Sequence, residues 1–329
     1  MKRLKNGAFV TCMLFWWQKY KAGTFMKTAQ RLAEPAAHHG PVIATVDGYD
    51  VIECQACGFR HIDPLFSDEE LKKFYDGEFY EKERPDYFVR MEADKEWWML
   101  RYHHYFGLLE ARTPGRRILD IGSGPGYFLE AGRERGWQTL GFEPSSIAAD
   151  YTRSRGLAVV NDFFSAAKAK EHGAFDAISL SMVLEHVRDP IGLIEEARSL
   201  LVPGGLLLLI SPNDFNPLQM TLWKQLGFAP WWVNPKHHLN YFDTVSAGRF
   251  LKARRFDVLH LETSYPLENF LLAGRNYVGN PALGRECHNE RKAFETTLFR
   301  HDKPRIEALA ASWAAQGIGR EFIILGKKP

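Results

Sequence analysis

Three glycines at alternate positions, directly behind a short apolar run, constrain this chain more than any other feature. Ile118-Leu119-Asp120-Ile121 has the length and branching of a strand buried on both faces. Gly122-Ser123-Gly124-Pro125-Gly126 then turns the chain into Tyr127-Phe128-Leu129, the start of an amphipathic helix that Gly136 can close. Glycine reaches positive φ at no steric cost, and bare peptide N–H groups at the head of a helix dipole suit an anionic or polar ligand. Strand, glycine turn and helix in this order build a nucleotide-type cofactor site. A dinucleotide fingerprint reads G-x-G-x-x-G, whereas here the order is G-x-G-x-G. Tyr127 stands where the third fingerprint glycine belongs, which counts against a dehydrogenase.

The downstream positions extend the pattern. Trp137 to Phe142 reads as a second strand ending on Glu143, a carboxylate placed to accept both ribose hydroxyls of an adenosine. Leu157 to Val160 is a short third strand, followed by Asn161-Asp162-Phe163-Phe164. Phe175 to Ser181 is the fourth, and Asp189 with Pro190 supplies an N-cap and first helical residue. Val187, Ile191, Ile194 and Leu201 form the buried stripe of that helix, Pro203-Gly204-Gly205 breaks it, and Leu206 to Ile210 is a fifth strand. Phe256 to Thr263 and Glu321 to Gly326 are the sixth and seventh.

From about residue 115 to 263 this succession resembles the class I S-adenosylmethionine-dependent methyltransferases. The resemblance implies an α/β, Rossmann-like seven-stranded sheet, mostly parallel with the last strand antiparallel, flanked by helices, with S-adenosyl-L-methionine as cofactor. It implies cofactor contacts from Asp120, Gly122, Ser123, Gly124, Gly126, Glu143 and Ser181. It also gives the adenine amino group to Asp162 and a ring contact to Phe163. The family joins its last two strands by a short hairpin; here residues 264–320 intervene, helical by pattern.

At 329 residues there is room for one large α/β domain and an appended module. The expected division is an N-terminal extension over 1–25, a small zinc-ribbon-like module over 26–85, an aromatic helical connector over 86–114, and the cofactor domain over 115–329 with its insertion. A net charge of +2 shows no basic excess of the kind that tracks a phosphate backbone, so nucleic acid is not the expected partner. Ser181-Met182-Val183-Leu184 also stands where nucleobase amino-methyltransferases carry an Asn/Asp-Pro-Pro-Tyr type of motif. Lys2, Arg3 and Lys5 precede an apolar run from Ala8 to Trp17 that is too short for a transmembrane segment and lacks a cleavage site. Two readings stay open there, a peripheral membrane contact or a start at Met26, and a cytoplasmic location is expected with either.

Cys54-Gln55-Ala56-Cys57-Gly58 is a knuckle that points two thiolates at one ion, with His61 behind it and His38-His39 upstream. Methyltransferases of a bacterial group acting on small molecules and glycans often carry a zinc-ribbon-like segment with two such knuckles, and Asp63-Pro64, Leu71 to Tyr75 and Tyr80 resemble its latter half. The first knuckle is missing here. A structural zinc would take Cys54, Cys57, His61 and one of His38 or His39, with His39 as the expected fourth ligand; the alternative is a reduced thiol pair in a hairpin.

Open α/β sheets bind ligands at the carboxyl ends of their strands, which puts the irregular stretch from Ser211 to Phe242 over the reacting methyl. Its His-x-x-x-Phe arrangement, His238 to Phe242 before Asp243 and Thr244, resembles the same bacterial group. Methyl transfer is an in-line displacement, so a hydroxyl acceptor must be aligned and must lose its proton. Histidine suits that step: His238 is the first candidate base, His237 the second and His186 the third. For each, the competing role is to hold a loop by hydrogen bonds. Glu185 is placed to orient an imidazole, the alternative being a solvated loop carboxylate, and Tyr241 either to position the acceptor or to pack beneath the loop. The expected reaction is O-methylation of a small molecule or saccharide. C-methylation of a quinol-type ring and a non-catalytic cofactor-binding scaffold are the alternatives.

Overall fold

The computed structural model describes residues 38–65 and 87–329; the N-terminal extension and the segment containing Leu71 to Tyr80 lie outside these. In chain order the strands are β1 (Val42–Val46), β2 (Tyr49–Glu53), β3 (Arg60–Asp63), β4 (Arg117–Ile121), β5 (Gln138–Phe142), β6 (Val159–Val160), β7 (Phe175–Ser181), β8 (Leu201–Pro212), β9 (Asn240–Tyr241), β10 (Asp257–Thr263) and β11 (Glu321–Lys327). Seven of them form one sheet in the order β10-β11-β8-β7-β4-β5-β6. β8, β7, β4, β5 and β6 pair in parallel, while β11 runs antiparallel to both its neighbours. The fold is a Rossmann-like α/β sheet with the last strand reversed.

Alternation along the central strands accounts for helices on both faces. Leu119, Ile121, Ile178, Leu180, Leu207 and Leu209 point into one apolar cluster, which the helices Pro190–Leu200 and Thr244–Ala253 cover with Ile194, Ala197, Phe250 and Leu251. Ile118, Ala177, Leu206, Leu208 and Ile210 point into the other. There Phe106 of the helix Lys95–Glu110 stacks on Phe128 of the helix Tyr127–Glu134, centroids 4.7 Å apart. Between β4 and β7 the order of strands reverses, so the loops that follow these two strands diverge and leave a crevice at their carboxyl ends.

Two elements differ from the sequence pattern. The aromatic stretch from Tyr87 to Glu110 is two helices, Tyr87–Ala93 and Lys95–Glu110, because Asp94 turns its carboxylate to His288 (3.2 Å) and Lys292 on the long helix Pro281–His301 of the insertion. The helix that begins at Pro190 stops at Leu200, so Leu201 and the Pro203-Gly204-Gly205 turn belong to β8 rather than to the helix and its break. Residues 264–320 are helical as the pattern suggested, over Glu268–Leu272, Pro281–His301 and Lys303–Ala315.

β1, β2 and β3 form an antiparallel meander whose last strand pairs with β9, a piece of the long loop after β8. A third apolar cluster closes this junction, with Val51 and Ile62 from the meander against Phe215, Trp232, Leu239 and Tyr241 from the loop. No helix among the described residues is long and apolar enough to cross a membrane.

Candidate active site

The cofactor end of the crevice is built from the glycine turn and the acid that follows β5. Gly122, Gly124 and Gly126 all have positive φ, and the first two N–H groups of the turn, on Gly122 and Ser123, donate to the carbonyl of Phe142 at 2.8 and 3.1 Å. This clamps the turn to the end of β5. A Cβ on Gly126 would meet the Thr152 side chain at 2.7 Å, so glycine is required there for close approach as well as for φ. Glu143 is 2% exposed, and its two oxygens accept from the N–H groups of Gly124 (2.8 Å) and Ser145 (2.9 Å). Burial pushes its carboxyl up to about 7, and these two bonds act in the opposite direction.

An adenosyl cofactor fits these residues. Glu143 is held with each oxygen fixed by one backbone donor, and a carboxylate oxygen has capacity for a second donor such as a ribose hydroxyl. Asp120 Oδ1 and Ser123 Oγ are buried at the same edge with no partner among the described residues, so polar ligand atoms would complete them. Burial, with the nearby Glu143, raises the Asp120 carboxyl to about 8.

The other predicted cofactor contacts are distributed less tightly. Phe163 is buried, and its N–H donates to Asp162 Oδ1 at 2.8 Å. The second Asp162 oxygen pairs with Lys168 near the surface. Ser181 ends β7, where its neighbour Met182 adopts φ +57° and donates its N–H to the Ile210 carbonyl at 2.8 Å. A left-handed methionine is an uncommon conformation, and it stands between the end of β7 and the Glu185-His186 pair.

In the loops that follow β7 and β8, Glu185, His186 and His238 bring one polar atom each within 4.8 Å of one another, all three buried. The imidazoles of His186 and His238 meet edge to face with centroids 5.0 Å apart. His186 Nδ1 lies 2.7 Å from the His237 carbonyl, which makes Nδ1 the protonated nitrogen and leaves Nε2 as an acceptor. Of the adjacent pair of histidines, then, His238 carries its ring into the cluster while His237 contributes a backbone carbonyl that orients His186.

Two residues that sequence reasoning passed over complete the pocket. Asp214 Oδ2 lies 3.8 Å from His238 Nδ1, and Arg320 reaches to 4.0 Å from the other Asp214 oxygen. Ser211 donates to Glu185 Oε2 at 2.9 Å. Burial lifts Glu185 to about 8 and Asp214 to about 7, and the same burial, with Arg320, depresses His238 to about 3. Neither His238 ring nitrogen has a hydrogen-bond partner among the described residues. Burial thus keeps the His238 imidazole neutral near pH 7, with one ring nitrogen left as an acceptor of low proton affinity. Asp214 follows β8 by two residues, within the stretch from Ser211 to Phe242 expected over the reacting methyl; Arg320 comes from the far end of the insertion, and no local pattern connects it to Asp214.

At the N-terminal meander, Cys54, Cys57 and His61 converge with His38, and it is His38 rather than His39 that joins them. The His39 carbonyl accepts from Gln55 N–H at 3.0 Å and the His39 residue is exposed, whereas the His38 ring lies against the thiols, Nδ1 3.3 Å from Cys57 Sγ.

Comparison with known proteins agrees with this picture. Residues 93–261, just over half of the chain, match the family described as a methyltransferase domain. A ubiquinone biosynthesis O-methyltransferase of Xanthomonas campestris pv. campestris (strain B100) is 35% identical over 106 residues, covering 30% of this chain and 44% of the relative. The enzyme of the same description from Actinobacillus pleuropneumoniae serotype 5b (strain L20) is 31% identical over 109 residues, covering 30% and 47%. The chain thus spans a little under half the length of the curated relatives it matches. A solved S-adenosylmethionine-dependent methyltransferase from Archaeoglobus fulgidus aligns with 74% of this chain and 99% of its own, at 18% identity and a TM-score of 0.46.

Proposed function

Because the chain belongs to the class I S-adenosylmethionine-dependent methyltransferases, we propose that it transfers the cofactor's methyl group to a hydroxyl oxygen of a small-molecule or saccharide acceptor, with His238 taking the hydroxyl proton. The observation that carries the reading is the convergence of the buried Glu185, His186 and His238 side chains in the loops that follow β7 and β8, at the carboxyl ends of the parallel strands. Bound S-adenosylmethionine supplies an electrophilic methyl on a sulfonium; everything else is the work of side chains. Glu143 and the glycine turn hold the adenosyl part. The walls of the pocket exclude water and align the acceptor, which converts a bimolecular displacement into an oriented one. His238 accepts the proton on Nε2, and Asp214 beside Nδ1 stabilises the imidazolium once Asp214 is ionised. Both relatives are O-methyltransferases, which supports the same acceptor atom here.

Incubation with methyl-labelled S-adenosylmethionine and a mixed pool of phenols and glycosides is expected to give a labelled methoxyl product. Label on a ring carbon would replace this reading by C-methylation, in which the proton lost is that of the ring C–H at the methylated carbon. Absence of transfer to any acceptor, with cofactor binding intact, would favour a scaffold.

The pH dependence follows from Asp214. Below about 7 it is protonated and offers no charge to the imidazolium; above, it is ionised and does. Turnover is therefore expected to rise through pH 6 to 8 and to level off, and Asp214→Asn to lower the plateau and flatten the rise. A wild-type profile that is flat over this range would remove Asp214 from the mechanism.

A further inference from the structure

We propose that His38, Cys54, Cys57 and His61 hold one zinc ion, and that this ion fixes the strand that frames the His238 pocket. Zinc bonds of about 2.0 to 2.1 Å to nitrogen and 2.3 Å to sulfur set tetrahedral edges of roughly 3.3 Å between two nitrogens and 3.6 Å between nitrogen and sulfur. His38 Nδ1 stands 3.2 Å from His61 Nε2, 3.3 Å from Cys57 Sγ and 3.7 Å from Cys54 Sγ. The three edges that meet at His38 Nδ1 are thus close to those of a zinc tetrahedron, and all four donor atoms lie within 4.8 Å of one another.

The surroundings agree with that chemistry. His61 Nδ1 lies 2.8 Å from the Ile62 carbonyl, which takes the ring proton and turns the Nε2 lone pair toward the other three donors. Cys54 and His61 are buried and Cys57 and His38 half-buried, and none of the three described cysteines is in a disulfide. Two thiolates neutralise a divalent ion, so the loaded site carries no net charge and suits a partly buried position; loading releases the two thiol protons to solvent.

The consequence for the pocket runs through the backbone. His61 lies opposite Asn240 in the pairing of β3 with β9, and Ile62 N–H donates to the Leu239 carbonyl at 2.9 Å. On the other side of the same residues, the N–H groups of Leu239 and Asn240 both donate to the Glu185 carbonyl, at 2.8 and 3.1 Å. The Asn240 amide donates further to the carbonyls of Leu184 (3.0 Å) and Val187 (2.6 Å). Arg60, next to the His61 ligand, bonds at 2.7 Å to Asp243, the N-cap of the helix Thr244–Ala253. One residue before Leu239 is His238 itself. A metal ligand, a two-residue strand and the Glu185-His186 turn therefore form a single hydrogen-bonded stack, and the ion anchors its outer end. This second half of the proposal uses the pocket assigned above; the metal site does not depend on it.

The test starts with protein purified without a histidine tag. Elemental analysis is expected to give about one zinc per chain, and stripping followed by reloading with Co²⁺ to give the thiolate-to-metal absorption of a tetrahedral site, lost in Cys57→Ser. Cys287→Ala, remote from the site, is expected to keep its metal. Hydrogen exchange then reads the coupling without any acceptor. On stripping, the amides of Ile62, Leu239 and Asn240 are expected to lose roughly tenfold or more of their protection, to regain it with zinc, and to leave those of β4 and β5 unchanged. Should Cys57→Ser fail to fold, His38→Ala, which alters a ligand outside the strands, and the stripping of wild-type protein carry the same readouts. Protein with no stoichiometric metal, or a Co²⁺ form without the thiolate band, overturns the site. Bound zinc whose removal leaves the Leu239 and Asn240 amides equally protected overturns the coupling, and neither result bears on whether His238 is the base.

Discussion

Replacing His238 by alanine is expected to lower the turnover number ~10²- to 10⁴-fold while S-adenosylhomocysteine affinity stays within about a factor of a few. The asymmetry follows from location. His238 lies with Glu185 and His186 at the ends of β7 and β8, whereas the adenosyl contacts come from the turns after β4 and β5. Its ring is neutral across the physiological range because burial depresses it to about 3, so what is lost is a proton acceptor and not a charge that supports the fold. Unchanged S-adenosylhomocysteine binding by calorimetry reports that the sheet survives the cavity left behind. His186→Ala is the informative control, since that ring is held by the His237 carbonyl and meets the His238 ring edge to face. If His186→Ala abolishes turnover and His238→Ala does not, the base lies in the turn after β7.

Glu143→Ala is expected to weaken S-adenosylmethionine binding by about 2 to 4 kcal/mol, roughly 30- to 1,000-fold in Kd, through the loss of two charge-assisted hydrogen bonds to the ribose. The Gly124 and Ser145 N–H groups make the effect larger than that of deleting an exposed acid, because the substitution also leaves two inward donors with no acceptor. The wild type should show a matching pH dependence. Ribose hydroxyls donate to the ionised carboxylate, so protonation competes with binding: affinity should fall by about tenfold per unit below pH 7 and be flat above it. Calorimetry over pH 5.5 to 8.5 checks both statements. A Glu143→Ala protein that binds as tightly as wild type, or a wild-type affinity independent of pH, would remove Glu143 from the ribose.

The sheet was legible in the sequence because its strands are buried on both faces and each ends on a chemical marker. Ile118 to Ile121 runs into glycines, Gln138 to Phe142 into Glu143, and Phe175 to Ser181 into the Glu185-His186 turn, so local pattern and global position coincide. Asp94 broke a continuous helical pattern because its partners, His288 and Lys292, lie almost two hundred residues away. Local periodicity has no access to such a pair. The same distance hides the pocket's electrostatics: His238 was conspicuous as one of two adjacent histidines, but Arg320 reaches Asp214 from the entry to β11 after a long helical insertion. At the metal-ligand cluster, two neighbouring histidines satisfied the spacing equally, and only the folded chain sets the His38 ring against the thiols and leaves His39 exposed. The pairing of β3 with β9 was equally beyond reach, since Asn240–Tyr241 is too short to show a strand pattern of its own.

Whether His238 takes the acceptor's proton during methyl transfer is read most directly from the acidity of the acceptor. Turnover of wild-type and His238→Ala protein is compared on a series of substituted phenols of increasing acidity, at saturating S-adenosylmethionine and fixed pH. An acceptor that is already ionised needs no base, so the defect in His238→Ala is predicted to shrink steadily along the series and nearly to vanish for the most acidic phenols. A defect of constant size across the series would contradict the assignment and leave His238 as a residue that shapes the pocket.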